Sequence, residues 1–136
     1  MEIEHNKAKF ITSLVAESLQ DGTWQLASDL VYYSKIYDNI IKVPTGWITD
    51  LASVPRSIPI VYAAFGDRAH HESVIHDRIY WLGNVKRKLA DDIFLEAMIC
   101  RKKPWWIRQG MYCGVRLFGW KAWKNHRKLG HPKEGT

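Results

Sequence analysis

The spacing of apolar positions changes partway along the chain. Through residue 49 they come as short alternating or β-branched runs, and from residue 67 onward they recur every three or four residues. Residues 10–16 form an apolar run with Thr and Val. Asp21-Gly22 is a turn signal, and residues 23–26 alternate after it. Residues 30–36 are rich in Val and Tyr and end at Asp38-Asn39. Residues 40–43 form a short strand stopped by Pro44, and Trp47-Ile48 adds a further piece. Turns this short favour antiparallel neighbours. The pattern breaks over residues 50–66, where Asp50 can cap a short turn and Pro55 and Pro59 exclude a long helix. Connections of that length in a compact domain commonly carry function.

Beyond it, Asp67 suits the N-cap of a helix ending near Leu82, with Gly83 as its stop. Asn84 suits the cap of a second helix over 85–101, whose Leu89, Phe94, Leu95, Ala97 and Met98 keep helical spacing. Pro104 fits the first turn of a third helix, from 105 into the low 120s. The expected fold class is α+β. An N-terminal antiparallel β-sheet of about four strands is followed by three α-helices, the first two an antiparallel hairpin. Residues 1–130 read as one domain and 131–136 as a frayed tail.

A hairpin turning at Gly83-Asn84 brings residues at matched distances from the turn level with each other. His76 then faces Asp91, and Tyr80 faces Arg87. His76 and Tyr80 are i,i+4 on one helix, as are Arg87 and Asp91 on the other. A carboxylate beside an imidazole fixes its tautomer and makes it a better base. The same four groups could instead satisfy one another as a buried structural network. Asp77 lies about 100° from His76 round the helix, where it could meet a different partner, such as a cation or the loop that carries Asp50. His70, His71 and His76 lack the i,i+3 or i,i+4 spacing of a helical zinc pair.

Hydrophobic residues at 46% and charged residues at 25% exclude a largely disordered chain. The longest uncharged run, 57–66, is too short to cross a bilayer, and the N-terminus lacks the order of a signal peptide. Cys100 and Cys113 are too few for a disulfide framework and read as reduced thiols. The net charge of +6 conceals a split. Residues 1–100 carry 10 basic against 13 acidic side chains, whereas 101–136 carry 10 against one. Within the basic part, Trp120, Lys121, Trp123, Lys124, Arg127 and Lys128 are the candidate surface for an anionic host or virion component.

Residues 43–56, Val-Pro-Thr-Gly-Trp-Ile-Thr-Asp-Leu-Ala-Ser-Val-Pro-Arg, resemble the signature of a phage and prophage family of unknown function, domain-of-unknown-function family 1353. The likeness continues through Val-Ile-His-Asp-Arg-Ile-Tyr at 74–80, Ala-Asp-Asp-Ile-Phe at 90–94 and the 111–119 segment. It implies phage origin, with the host cytoplasm or the virion as location. A fainter likeness concerns chemistry. His-Asp-x-x-Tyr on one helix and Ala-Asp-x-x-Phe on the next are similar to the helix pair of phospholipases A2. That resemblance implies His76 as general base, Asp91 as its orienting acid and Asp77 as a Ca²⁺ ligand. The glycine-rich Ca²⁺ loop of those enzymes has no counterpart here.

Two functions follow as expectations. One is a hydrolase-like site with catalytic His76, Asp91 and Tyr80. Asp50 and Asp77 would hold Ca²⁺ or another divalent cation, and Thr49, Ser53, Arg56 and Arg87 would position the site or its substrate. The other is a non-enzymatic phage structural or host-interaction protein that binds through its basic, Trp-rich C-terminus.

Overall fold

The computed structural model describes residues 7–49 and 70–132. Six short strands precede four helices among these residues. The strands are β1 (Lys9–Phe10), β2 (Ala16–Ser18), β3 (Trp24–Leu26), β4 (Leu30–Ser34), β5 (Asn39–Val43) and β6 (Ile48–Thr49). The helices are α1 (His70–Leu82), α2 (Arg87–Cys100), α3 (Trp105–Phe118) and α4 (Trp120–Lys128). The α+β class and the strands-then-helices order match the sequence expectation.

The strands divide between two antiparallel sheets, ordered β1-β4-β5 and β2-β3-β6. The apolar run at 10–16 therefore does not make one strand. Its start pairs with β4, whereas β2, which begins at Ala16, pairs with β3. Thr12 sits at the break. Its hydroxyl donates to the Asp29 carbonyl at 2.9 Å and accepts the Val31 N–H at 2.9 Å. That bond replaces a ladder bond and turns the chain from one sheet to the other.

The β4–β5 hairpin is the regular part. Leu30 pairs with Val43 and Tyr32 with Ile41, and all four side chains are buried. They meet Val74, Ile75 and Ile79 of α1 and Ala90, Ile93 and Ala97 of α2 in one core. Burying a side chain of this size contributes roughly 1.5–3 kcal/mol. Glu96 ties helix to sheet, accepting the Tyr32 hydroxyl at 2.7 Å and the Ile36 N–H at 2.9 Å. A second cluster, Phe94, Met98, Ile107 and Met111, joins α2 to α3.

Gly83 ends α1 as expected, with φ +61° and its N–H on the Ile79 carbonyl at 2.9 Å. Asn84 does not cap α2. That helix begins three residues later, with Lys86 at its N-cap and no side-chain cap bond. The expected third helix is two. Gly119 separates α3 from α4, yet its backbone stays right-handed helical. Among the described residues no helix is long and apolar enough to cross a membrane. Asp67, proposed to cap α1, lies outside the described residues.

Candidate functional site

The α1–α2 hairpin carries the pairing that its turn arithmetic demands. His76 Nε2 lies 2.7 Å from Asp91 Oδ1, and the Tyr80 hydroxyl donates to the same oxygen at 2.6 Å. Arg87 Nη1 reaches Asp91 Oδ2 at 3.3 Å from one turn earlier on α2. Arg116, on α3, completes the shell by donating from Nη1 to Oδ2 at 2.7 Å. Three helices thus converge on one fully buried carboxylate. Burial alone would raise the Asp91 carboxyl. The hydrogen bonds from His76, Tyr80 and Arg116 outweigh it and hold the group below its ordinary value. Asp91 is therefore ionised at neutral pH.

An ionised acceptor settles the imidazole's hydrogen. Nε2 must donate to Asp91, so the neutral ring carries its lone pair on Nδ1. No group among the described residues hydrogen-bonds Nδ1. The ring packs against Tyr80 and Phe94, with centroids at 4.2 and 4.8 Å, and 10% of its side chain remains exposed. The ring is thus held through one nitrogen, and the other carries the lone pair. Tyr80 donates its proton to Asp91, and burial with that bond pushes its phenol upward, so it stays neutral.

Arg87 does more than pair with Asp91. It also donates to the carbonyls of Val115 and Arg116 at 3.0 and 3.2 Å. Both carbonyls lie in the last turn of α3, and that of Val115 also accepts the Gly119 N–H at 2.8 Å. The site is thereby fastened to the end of α3, and a Cβ at Gly119 would collide with the Tyr80 hydroxyl.

The remaining candidates are distributed more widely. Thr49 is buried in β6. Asp77 is half-buried on α1. Asp50, Ser53 and Arg56 lie outside the described residues. Among the described residues no three His, Cys, Asp or Glu side chains are grouped to hold a metal ion. Of the proposed cation pair, Asp77 lies among the described residues and Asp50 outside them. His71 accepts the Leu14 N–H on Nε2 at 3.1 Å, and burial lowers its pKa to about 4. It is a neutral structural histidine.

At the C-terminal end the candidates separate into two groups. Trp120, Lys121, Lys124 and Lys128 are exposed. Arg127 instead donates to the carbonyls of Tyr80 and Trp81 at 2.9 and 2.8 Å, closing the end of α1. Its guanidinium also lies over the half-buried Trp123 ring, 4.9 Å from the centroid. Those two side chains are committed to the fold.

Sequence reasoning missed Arg116. Its signal was a cation among the apolar residues of the last two turns of α3, where a partly buried charge requires a partner. Its partner could not be named without knowing which helix α3 packs on. Glu72 was also missed. It is fully buried on α1, with Arg101 Nε 2.8 Å from Oε1 but no hydrogen bond to either oxygen. Burial pushes its carboxyl up to about 7 against the opposing charges of Lys103 and Arg101.

A family model described as protein of unknown function (DUF1353) matches residues 24–115, more than half of the chain, and the chain belongs to that family. No curated protein and no solved structure matches it.

Proposed function

We propose that this DUF1353 member is a phage-type protein with a water-activating hydrolase site, in which His76 is the general base and Asp91 its orienting acid. One observation carries the reading: His76 is held through Nε2 by an ionised, buried Asp91, while Nδ1 has no partner among the described residues. A purely structural histidine would be expected to bond at both nitrogens. In the reaction, Nδ1 takes a proton from a water whose oxygen attacks an acyl or phosphoryl centre. The leaving group then departs with that proton, and His76 returns to its neutral form. Tyr80, Arg87 and Arg116 position Asp91. They are positioning residues and do not touch the substrate.

The test uses two hydrolysis probes, 4-nitrophenyl butyrate for acyl transfer and bis-4-nitrophenyl phosphate for phosphoryl transfer. Wild-type turnover of one probe should fall roughly 10²–10⁴-fold in His76→Ala. Equal rates in the two proteins, or no turnover of either probe, would remove the reading.

A second reading is favoured by a separate observation. No side chain of α4 is fully buried, and residues 101–132 contain nine basic and no acidic residues. Such a surface suits an anionic partner, whether of host or virion. The two readings are compatible, because the basic helix and the His76 pair use different residues.

A further inference from the structure

We infer that α3 and α4 form an interfacial docking face for an anionic lipid surface; the inference rests on the anionic-partner reading and names the partner. Gly119 keeps right-handed helical angles (φ −67°, ψ −17°). Its N–H bonds the Val115 carbonyl at 2.8 Å, and the Trp123 N–H bonds the Gly119 carbonyl at 3.0 Å. Helical phase therefore carries across the junction. At about 100° per residue, Cys113, Leu117, Trp120, Lys121, Lys124 and Lys128 fall within an arc of roughly 100°. All six are exposed.

The face has two halves. Leu117 is 65% exposed, and Phe118 at 42% extends its apolar edge. A Cβ placed on Gly114 would meet nothing within 4 Å, so no described part of the chain packs there. The α4 half is basic around an aromatic centre. Lys121 and Lys124 lie 5.6 and 5.2 Å from the Trp120 ring centroid. These lysines line a shallow groove of about 580 Å³ that also includes Lys128 and Asn125.

Charge and shape together select the partner. A nucleic-acid backbone needs cations along the whole track, whereas the α3 half of this arc is uncharged. A second copy would bring one acid-free basic surface against another. A bilayer matches both halves at once: aliphatic and aromatic side chains enter the headgroup boundary, and lysines on flexible stems reach the anionic headgroups.

The experiment is cosedimentation with phosphatidylcholine vesicles, with and without phosphatidylserine, alongside heparin and a single-stranded oligonucleotide. Trp fluorescence is read in parallel. Wild type should pellet with the phosphatidylserine vesicles only, with a blue-shifted emission, and added salt should weaken binding. Lys121→Gln/Lys124→Gln should bind roughly 25-fold more weakly, about fivefold per lysine. Leu117→Ser should also lose binding, with unchanged far-UV circular dichroism because the side chain is exposed. Binding to heparin or oligonucleotide but to neither vesicle would overturn the lipid inference and leave the anionic-partner reading standing. Binding to none of them would overturn both. Self-association that Leu117→Ser abolishes, without vesicle binding, would reassign the face to a second copy of the chain and overturn the inference.

Discussion

Asp91→Asn tests the carboxylate on which α1, α2 and α3 converge. The substitution keeps the side chain's shape and one acceptor oxygen but removes the charge. His76 and Tyr80, at 2.7 and 2.6 Å, each donate to a carboxylate oxygen in the wild type. Arg116 at 2.7 Å loses a charge-assisted bond, and Arg87 at 3.3 Å a weaker one. Breaking a buried ion pair on one side costs about 3–5 kcal/mol. The two arginine side chains are 20% and 33% exposed, so water recovers part of that loss. The expectation is therefore the lower end, about 3 kcal/mol at pH 7. For a domain of this size that lowers Tm by roughly 10 °C. The pH dependence supplies a second readout. The folded pKa of Asp91 is depressed, so its contribution is present above the unfolded pKa and is lost as pH falls through the folded one. The difference between wild type and variant should be full at pH 7 and should shrink as pH falls below about 4. Urea unfolding followed by circular dichroism across that range measures both. A loss under about 1 kcal/mol at pH 7, or one that does not change with pH, would refute the reasoning.

Glu72 should behave in the opposite sense. Its folded pKa is raised to about 7, so stability is greatest below the unfolded value and declines as pH rises through 7. Glu72→Gln should therefore be more stable than wild type at pH 8, by roughly 2–3 kcal/mol, with the gap closing toward pH 5 in the same urea assay. Gly83→Ala should destabilise by roughly 2 kcal/mol in thermal melts. The position needs φ +61°, and the new Cβ would displace the Arg127 guanidinium from the α1 carbonyls. Arg116→Ala should cost less than Asp91→Asn, about 1 kcal/mol, because its side chain is one-third exposed and only one of Asp91's four donors is lost.

Where the sequence expectation held, one local rule sufficed. The helix hairpin and its His76–Asp91 pair follow from a glycine stop and equal offsets on either side of it. The same arithmetic placed Tyr80 and Arg87. It failed where a residue's partner lies on a third element. Arg116 looks like any helical arginine until α3 is seen to pack on α2. Arg127 looks like a surface cation until α4 is seen to fold back on the end of α1. The strand expectation failed at Thr12 for a related reason. A run of apolar residues reads as one strand, and nothing in its periodicity shows that a threonine hydroxyl will take over the ladder bond and send the chain into a second sheet. The α3–α4 division was equally hidden, because Gly119 interrupts the helix while keeping helical angles.

The central claim is that His76 and Asp91 act as one catalytic unit. The most direct test is a double-mutant cycle on turnover of whichever 4-nitrophenyl probe the wild type hydrolyses. Wild type, His76→Ala, Asp91→Asn and the double variant are compared at a temperature where circular dichroism shows all four folded. Because Asp91 acts through the imidazole, the double variant should be no slower than His76→Ala alone. Asp91→Asn should slow turnover substantially when His76 is present and change nothing when it is absent. Independent, multiplicative losses, or full activity in His76→Ala, would contradict the account.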